Sequence, residues 1–270
     1  QENKQYFVNR ILFTGNTTTR DTVVRREMRL FEEGLFDTEA LKYSIKRINQ
    51  LGYFKPLEGG KDIDIQKTPG GEGRVDVTLK MEEQNRNQVT FSAGVSQIDG
   101  FFGMLGYQTA NFMGRGETFG VNAQFGTRAQ NYQVSFSEPY LFDRPITGGI
   151  TAFYRRLEYL GQFTQQTKGV VVPFGFTLRS FPRLYLSYSY EHTKMLDVNP
   201  SFTDPSVIAA YPYLADQLLL GAGGVRKISK IVPSVMYDTV DHPIFPTSGN
   251  RYVASVDVAG IGGDTDFYKP

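Results

Sequence analysis

Thr118-Phe119-Gly120-Val121-Asn122-Ala123-Gln124-Phe125 puts Phe119, Val121, Ala123 and Phe125 on one side of an extended chain, and Thr, Gly, Asn and Gln on the other. Successive strand side chains point to opposite faces, so this spacing predicts a strand with one apolar and one polar face. The pattern recurs at Tyr132, Val134 and Phe136, at Leu184, Leu186, Tyr188 and Tyr190, and at Tyr252, Ala254, Val256 and Val258. Soluble sandwiches alternate as well, so alternation alone leaves the solvent open.

Three features point to lipid on the apolar side. The strands run to roughly 9–11 residues, the length a tilted strand needs to cross a bilayer. Tyr and Phe gather near strand ends, as in Tyr140-Leu141-Phe142, Phe153-Tyr154 and Phe267-Tyr268, where interfacial girdles sit. Connections also alternate in length. Met113–Gly116, Arg179–Arg183 and His242–Asn250 are compact and share one end, whereas Lys194–Gln217, the longest, falls at the other. These observations predict an antiparallel transmembrane β-barrel running to about ten strands, at 89–97, 101–111, 117–126, 131–138, 146–157, 168–178, 184–193, 226–238, 250–259 and one opening at Thr265. An antiparallel sheet that stops at Pro270 has an open edge, which lipid does not tolerate. The sequence is therefore expected to be a piece of a longer barrel protein. Gln1-Glu2-Asn3-Lys4 is no signal peptide, which suits a mature form or an excised piece.

Working outward to the N-terminus, the composition changes near Asn87. Residues 1–87 hold 15 Lys/Arg, 14 Asp/Glu and 8 aromatics, and residues 88–270 hold 14, 14 and 29 over twice the length. We place the domain boundary there, with 1–87 as one domain and 88–270 as the barrel segment. In the first domain, Tyr6–Phe13 reads as a strand stopped by Gly15-Asn16. Thr18 and Asp21 have capping-box spacing, and Val24, Met28 and Phe31 form a helical stripe that Gly34 ends. Asp37 is the expected N-cap of a second helix with Leu41, Ile45, Ile48 and Leu51 on its buried face and Gly52 as its left-handed terminus. Strands at Asp62–Lys67 and Arg74–Met81 follow, joined by a turn at Thr68-Pro69-Gly70-Gly71. The expected order is β-α-α-β-β, with an exposed sheet edge suited to strand addition.

This order, with Phe13-Thr14-Gly15-Asn16 after the first strand and Leu51-Gly52-Tyr53-Phe54 closing the second helix, resembles a POTRA domain. Val23-Val24-Arg25-Arg26-Glu27-Met28 resembles the barrel-proximal POTRA of the BamA family of outer-membrane β-barrel assembly factors. The resemblance runs on through Asn111-Phe112-Met113-Gly114-Arg115-Gly116, Ser137-Glu138-Pro139-Tyr140, Asp238-Thr239-Val240-Asp241-His242-Pro243 with Phe245-Pro246-Thr247-Ser248-Gly249, and Gly262-Gly263-Asp264 followed by Phe267-Tyr268-Lys269. Phe13, Gly15, Asn16, Asp238, Asp241, Pro246 and Gly249 carry the family motif. The family's Val/Ile-Arg-Gly-Phe loop and closing strand do not occur and are expected beyond residue 270.

The resemblance implies a protein of the cell outer membrane with its POTRA domain in the periplasm. It further implies that this protein recognises and inserts unfolded outer-membrane client proteins, in contact with outer-membrane lipid and accessory lipoproteins, without covalent chemistry or a cofactor. In this family the barrel closes between its first and last strands at a weak seam. Val89, Thr90, Phe91, Ser92, Ala93, Gly94 and Val95 on the first strand are the expected client-strand surface, since an unpaired edge templates an incoming strand through main-chain hydrogen bonds. Arg25, Arg26, Glu27 and Arg29 are the expected accessory-subunit contacts. A sister translocation or two-partner secretion transporter is the nearest alternative, and a passive diffusion barrel would have no use for the periplasmic module.

Other chemistry has little to work with. There is no Cys, and His192 and His242 are the two histidines. No nucleophile elbow, phosphate loop or His-Glu-x-x-His occurs, so a barrel phospholipase or protease lacks its constellation. Asp238, Asp241 and His242 sit in a Pro-containing turn and read as turn formers rather than metal ligands. Glu27, Glu32 and Glu33 interleave with Arg25, Arg26 and Arg29, and the net charge is +1, which argues against nucleic acid.

Overall fold

A computed structural model describes residues 5–177, 182–220, 223–239 and 248–269. They form two compact units, one of residues Gln1–Asn87 with Thr109–Glu117 and one of Gln88–Gln108 with Thr118–Pro270.

The first unit contains β1 (Phe7–Thr14), α1 (Asp21–Arg25), α2 (Thr38–Leu51), β2 (Ile63–Lys67) and β3 (Arg74–Lys80). The sheet order is β1-β3-β2, with β1 parallel and β2 antiparallel to β3. Val75, Val77 and Leu79 alternate inward from β3, and Val77 and Leu79 meet Val8, Ile11, Leu41 and Ile48 in one buried cluster. The Asp37 carboxylate accepts from the Glu39 N–H at 2.8 Å, and Gly52 ends α2 at φ 68°; a cap of this kind contributes about 1 kcal/mol. The outer edge of β1 is occupied by residues 33–36, through Val8 N–H to Gly34 O at 2.9 Å and Phe36 N–H to Tyr6 O at 2.7 Å. Among the described residues, the open edge of this sheet is therefore β2.

The expected first helix differs. It is five residues long, its N-cap is Arg20, and no side chain of its own caps it. The N–H groups of Thr18 and Thr19 instead donate to Glu83, at 2.9 and 2.6 Å. After Arg26 the chain turns, so Met28 and Leu30 are buried while Phe31 is 71 % exposed. The stripe through Phe31 fails because the 3.6-residue period stops one turn after it begins.

In the second unit the strands are β4 (Asn87–Ser96), β5 (Gly100–Phe112), β6 (Glu117–Gly126), β7 (Ala129–Glu138), β8 (Ile146–Tyr159), β9 (Phe163–Thr177), β10 (Pro182–Leu196), β11 (Val225–Asp238), β12 (Arg251–Ser255), β13 (Asp257–Ala259) and β14 (Phe267–Lys269). The sheet runs β14-β13-β11-β10-β9-β8-β7-β6-β5-β4, with β12 also on β11. The strand expected at 250–259 is split at Val256, whose N–H donates to Pro233 O at 3.2 Å. Pro233 has no N–H to return, so the ladder lapses there. The long connection runs from 197 to 224 because β10 extends to Leu196 and β11 begins at Val225. It carries α3 (Pro205–Ala210) and α4 (Tyr213–Gln217), and the Arg226 guanidinium meets Asp216 at 2.5 Å.

Register sorts the faces. Phe119, Phe136 and Ile150 align across β6, β7 and β8, as do Val121, Val134 and Ala152. Farther along, Phe174–Leu186–Pro233 and Phe176–Leu184–Val235–Ala254 align. Ile150, Val134, Leu186 and Val235 of this face are all exposed. The opposite face bears Gln133, Thr151, Arg155, Gln165, Thr167, Glu191 and Thr193 around a concavity, interspersed with Phe153, Leu157, Tyr159, Val171 and Ile228, and is the more polar of the two. An exposed apolar side and a polar concave side are the faces of a membrane barrel wall.

Candidate functional site

β4 is the end strand of its sheet, bonded to β5 along one edge only. Its side chains split by type. Val89, Phe91 and Val95 are 74 %, 74 % and 68 % exposed, with exposed Ala93 in the same row, whereas Ser92, Gly94 and Ser96 on the other face are partly covered. A Cβ on Gly94 would stand 3.1 Å from the Phe102 ring, so that ring lies directly over the glycine backbone. The far turn is held by the Ser96 hydroxyl, which donates to Asp99 at 2.8 Å and accepts from the Asp99 N–H at 2.7 Å. Arg128 adds a bond to Gln97 O at 2.8 Å. Among the described residues, no strand pairs with the other edge of β4. The result is a strand fixed along its β5 edge that carries an exposed apolar stripe on one face.

In the first unit the motif residues have separate structural duties. Phe13 packs partly buried against the core, beneath the Arg25 guanidinium at 5.1 Å. Gly15 has φ +85°, and a Cβ there would fall 1.8 Å from Met81 O. The Asn16 amide donates to Thr19 O at 3.0 Å. Gly249 has φ +95°, and Asp238 ends β11 opposite Arg251. Asp241, His242 and Pro246 lie outside the described residues.

Sequence reading did not attach Thr109–Glu117 to this unit. Arg20 N–H donates to Gly114 O at 2.9 Å, the Asn111 amide to the Thr19 hydroxyl at 2.8 Å, and the Tyr53 hydroxyl to Gly116 O at 3.3 Å. Gly114 at φ +71° leaves no room for a Cβ, which would sit 2.0 Å from Thr18 O. The signal was the paired glycines 114 and 116, which a simple hairpin does not demand.

A family model described as the Omp85 superfamily domain matches residues 111–270, and a POTRA model described as a surface antigen variable number repeat matches 6–84. The chain belongs to the Omp85 superfamily. It is 28 % identical over 268 residues to the outer membrane protein assembly factor BamA of Neorickettsia risticii, covering 98 % of this chain and 34 % of that protein. The structure of BamA from Haemophilus ducreyi lacking POTRA domains 1–3 matches at 22 % identity with a TM-score of 0.75, over 99 % of this chain and 51 % of that one. CdiB from Escherichia coli matches at 13 % identity and a TM-score of 0.54, over 96 % and 46 %. This Omp85 chain spans about a third of the length of the curated relatives it matches.

The four residues expected to contact accessory subunits are not one surface in this Omp85 unit. Arg25 is exposed and bonded to Asp21 at 2.8 Å, Glu32 at 3.2 Å and Ile11 O at 3.2 Å; the bond to Asp21 raises its already high pKa. Arg29 is exposed, its guanidinium 3.6 Å from the centre of the Tyr43 ring. Arg26 is half-buried, and Glu27 is 5 % exposed in an ion pair with Arg47 at 2.8 Å. Glu27 thus ties the turn after α1 to α2. Among the described residues no cluster of His, Asp and Glu could hold a metal ion.

Proposed function

We propose that this chain is the membrane-embedded client-engaging part of an outer-membrane protein assembly factor, with its POTRA domain in the periplasm. Clients are unfolded outer-membrane proteins, which pair a strand with β4 at the seam where the barrel closes. What supports this most is the exposed apolar row of β4, Val89, Phe91, Ala93 and Val95, in a chain of the Omp85 superfamily that resembles BamA over nearly its whole length. Main-chain pairing asks little of client sequence, and burial of the paired strand in lipid supplies the driving force without a nucleotide. Arg25 and Arg29 are the proposed contacts for accessory lipoproteins, because both are exposed and aromatic rings hold their guanidinium groups in place.

Single cysteines at 89–95 in the full-length protein test the templating step. Disulfide crosslinks to a stalled client's terminal strand should appear with a two-residue alternation. Their uniform absence, with the barrel folded, rejects it. The second reading, a two-partner secretion transporter, draws support only from the weaker likeness to CdiB. It expects crosslinks from the polar concave face, around Gln133 and Thr167, to a passing substrate instead.

A further inference from the structure

The apolar face of the sheet changes character toward the end that carries the 197–224 connection. One cross-strand row reads Ala152–Val170–Tyr190. A step closer to that connection, the same face reads Tyr154–Lys168–His192–Lys227, and the next row is Arg156–Gln166–Lys194. Arg156, Lys168 and Lys227 are exposed and Lys194 is half-buried. Among the described residues no ion pair engages any of these four cations. The carboxylates near them are Glu158, beside Thr164, and Asp264, within electrostatic reach of His192 together with Lys168, Lys194 and Lys227. The His192 Nδ1 is buried without a hydrogen-bond partner.

Lys168 and Lys227 flank His192 from either side, and no carboxylate stands in that row or in the Arg156–Gln166–Lys194 row beside it. An anion over these rows would meet four cations at once. Its place is next to an apolar band bordered by Tyr154 and Tyr190, the depth at which headgroups meet a barrel wall. Lysine stems lie along apolar surface and lift their ammonium groups to that level. Lys168 and Lys227 stand two strands apart, about 10 Å, a span that admits a headgroup bearing more than one phosphate.

We propose that Lys168, Lys194 and Lys227, flanked by Arg156, form a binding surface for a phosphate-bearing lipid headgroup in the leaflet next to the long connection. This rests on the membrane reading above, and the test separates the two. Full-length protein is reconstituted in phosphatidylcholine vesicles doped with bisphosphorylated lipid A, extracted gently, and weighed intact by native mass spectrometry. The unsubstituted protein should retain lipid A, and retention should fall about fivefold for each charge removed in Lys168→Gln, Lys194→Gln and Lys227→Gln. Arg155→Gln, on the concave face, should leave it unchanged. Equal retention by the triple variant, or equal loss in Arg155→Gln, overturns the proposal. Displacement of lipid A by inorganic phosphate at similar concentration also overturns it, since the site would then serve a free anion. A fluorophore on Leu186→Cys reports the underlying reading through quenching by brominated acyl chains. Quenching without lipid A preference refutes the headgroup site alone, and no quenching refutes the membrane assignment.

Discussion

Glu83 reaches back across the sequence to the segment that opens α1. Its carboxylate accepts from the Thr17 hydroxyl at 2.9 Å and from the N–H groups of Thr18 and Thr19. Partial burial pushes this carboxyl upward, but the bonds from Thr19, Thr18 and Thr17 outweigh it and lower the pKa to about 2. A folded value below the ordinary 4.5 means that the stabilisation is complete above that pH and is lost as pH falls through the folded value. Glu83→Gln should cost about 1–2 kcal/mol at neutral pH once solvent screening is allowed for. The difference from the parent, read by urea unfolding, should shrink between pH 4.5 and 2 and vanish below; a pH-independent gap contradicts the assignment. Gly15→Ala is harsher, since positive φ and a clash with Met81 O coincide. We expect roughly 3 kcal/mol or more of destabilisation, checked by the same unfolding curves. Gly15-Asn16 was legible as a chain stop from sequence. Glu83 was not, because its partners lie 64 to 66 positions away, and local capping rules nominated Thr18 instead.

At the scale of elements, strand alternation was readable because each face meets one environment through the middle of the strand. Leu184, Leu186, Tyr188 and Tyr190 on β10 kept their phase through register with β9 and β11. The interruption at Val256 was not readable on its own strand, since its cause, Pro233, belongs to the neighbour. The short α1 was misjudged for a related reason, because Phe31 continued a helical spacing that the backbone had already left. The two-faced wall makes a directional prediction. Leu186→Arg on the apolar face should lower folding stability in vesicles by about 2–4 kcal/mol, while Gln133→Arg on the concave face should change it by less than about 1 kcal/mol. Equal effects in a vesicle-refolding titration would show that the two faces meet the same solvent. The seam residues Val89 to Val95 were legible as an alternating strand, but alternation does not say which strand is terminal. That information came from the family resemblance and from the sheet order.

Across the whole molecule, the chain crosses between its two units more than once. Thr109–Glu117, the end of β5 with the turn into β6, belongs to the first unit. Hydrogen exchange in full-length protein should therefore show the amides of 113–116 exchanging in step with those of 18–20, and Asn111→Ala should speed both together. Faster exchange at 113–116 alone would mean that the turn is held by its own hairpin. The two-domain reading from composition missed this because charge density and aromatic content average over tens of residues, and a nine-residue excursion does not move them.

That excursion imposes an order of events on a chain that emerges from its N-terminus. The helices and three strands preceding Asn87 are available first, yet the Thr19 hydroxyl, the Arg20 N–H and the Tyr53 hydroxyl find their partners only after the strand at 100–112 has turned back. The leading module has its apolar core before that point and gains these last bonds only once β4 and β5 have formed, so its finished structure draws on sequence from both sides of that hairpin.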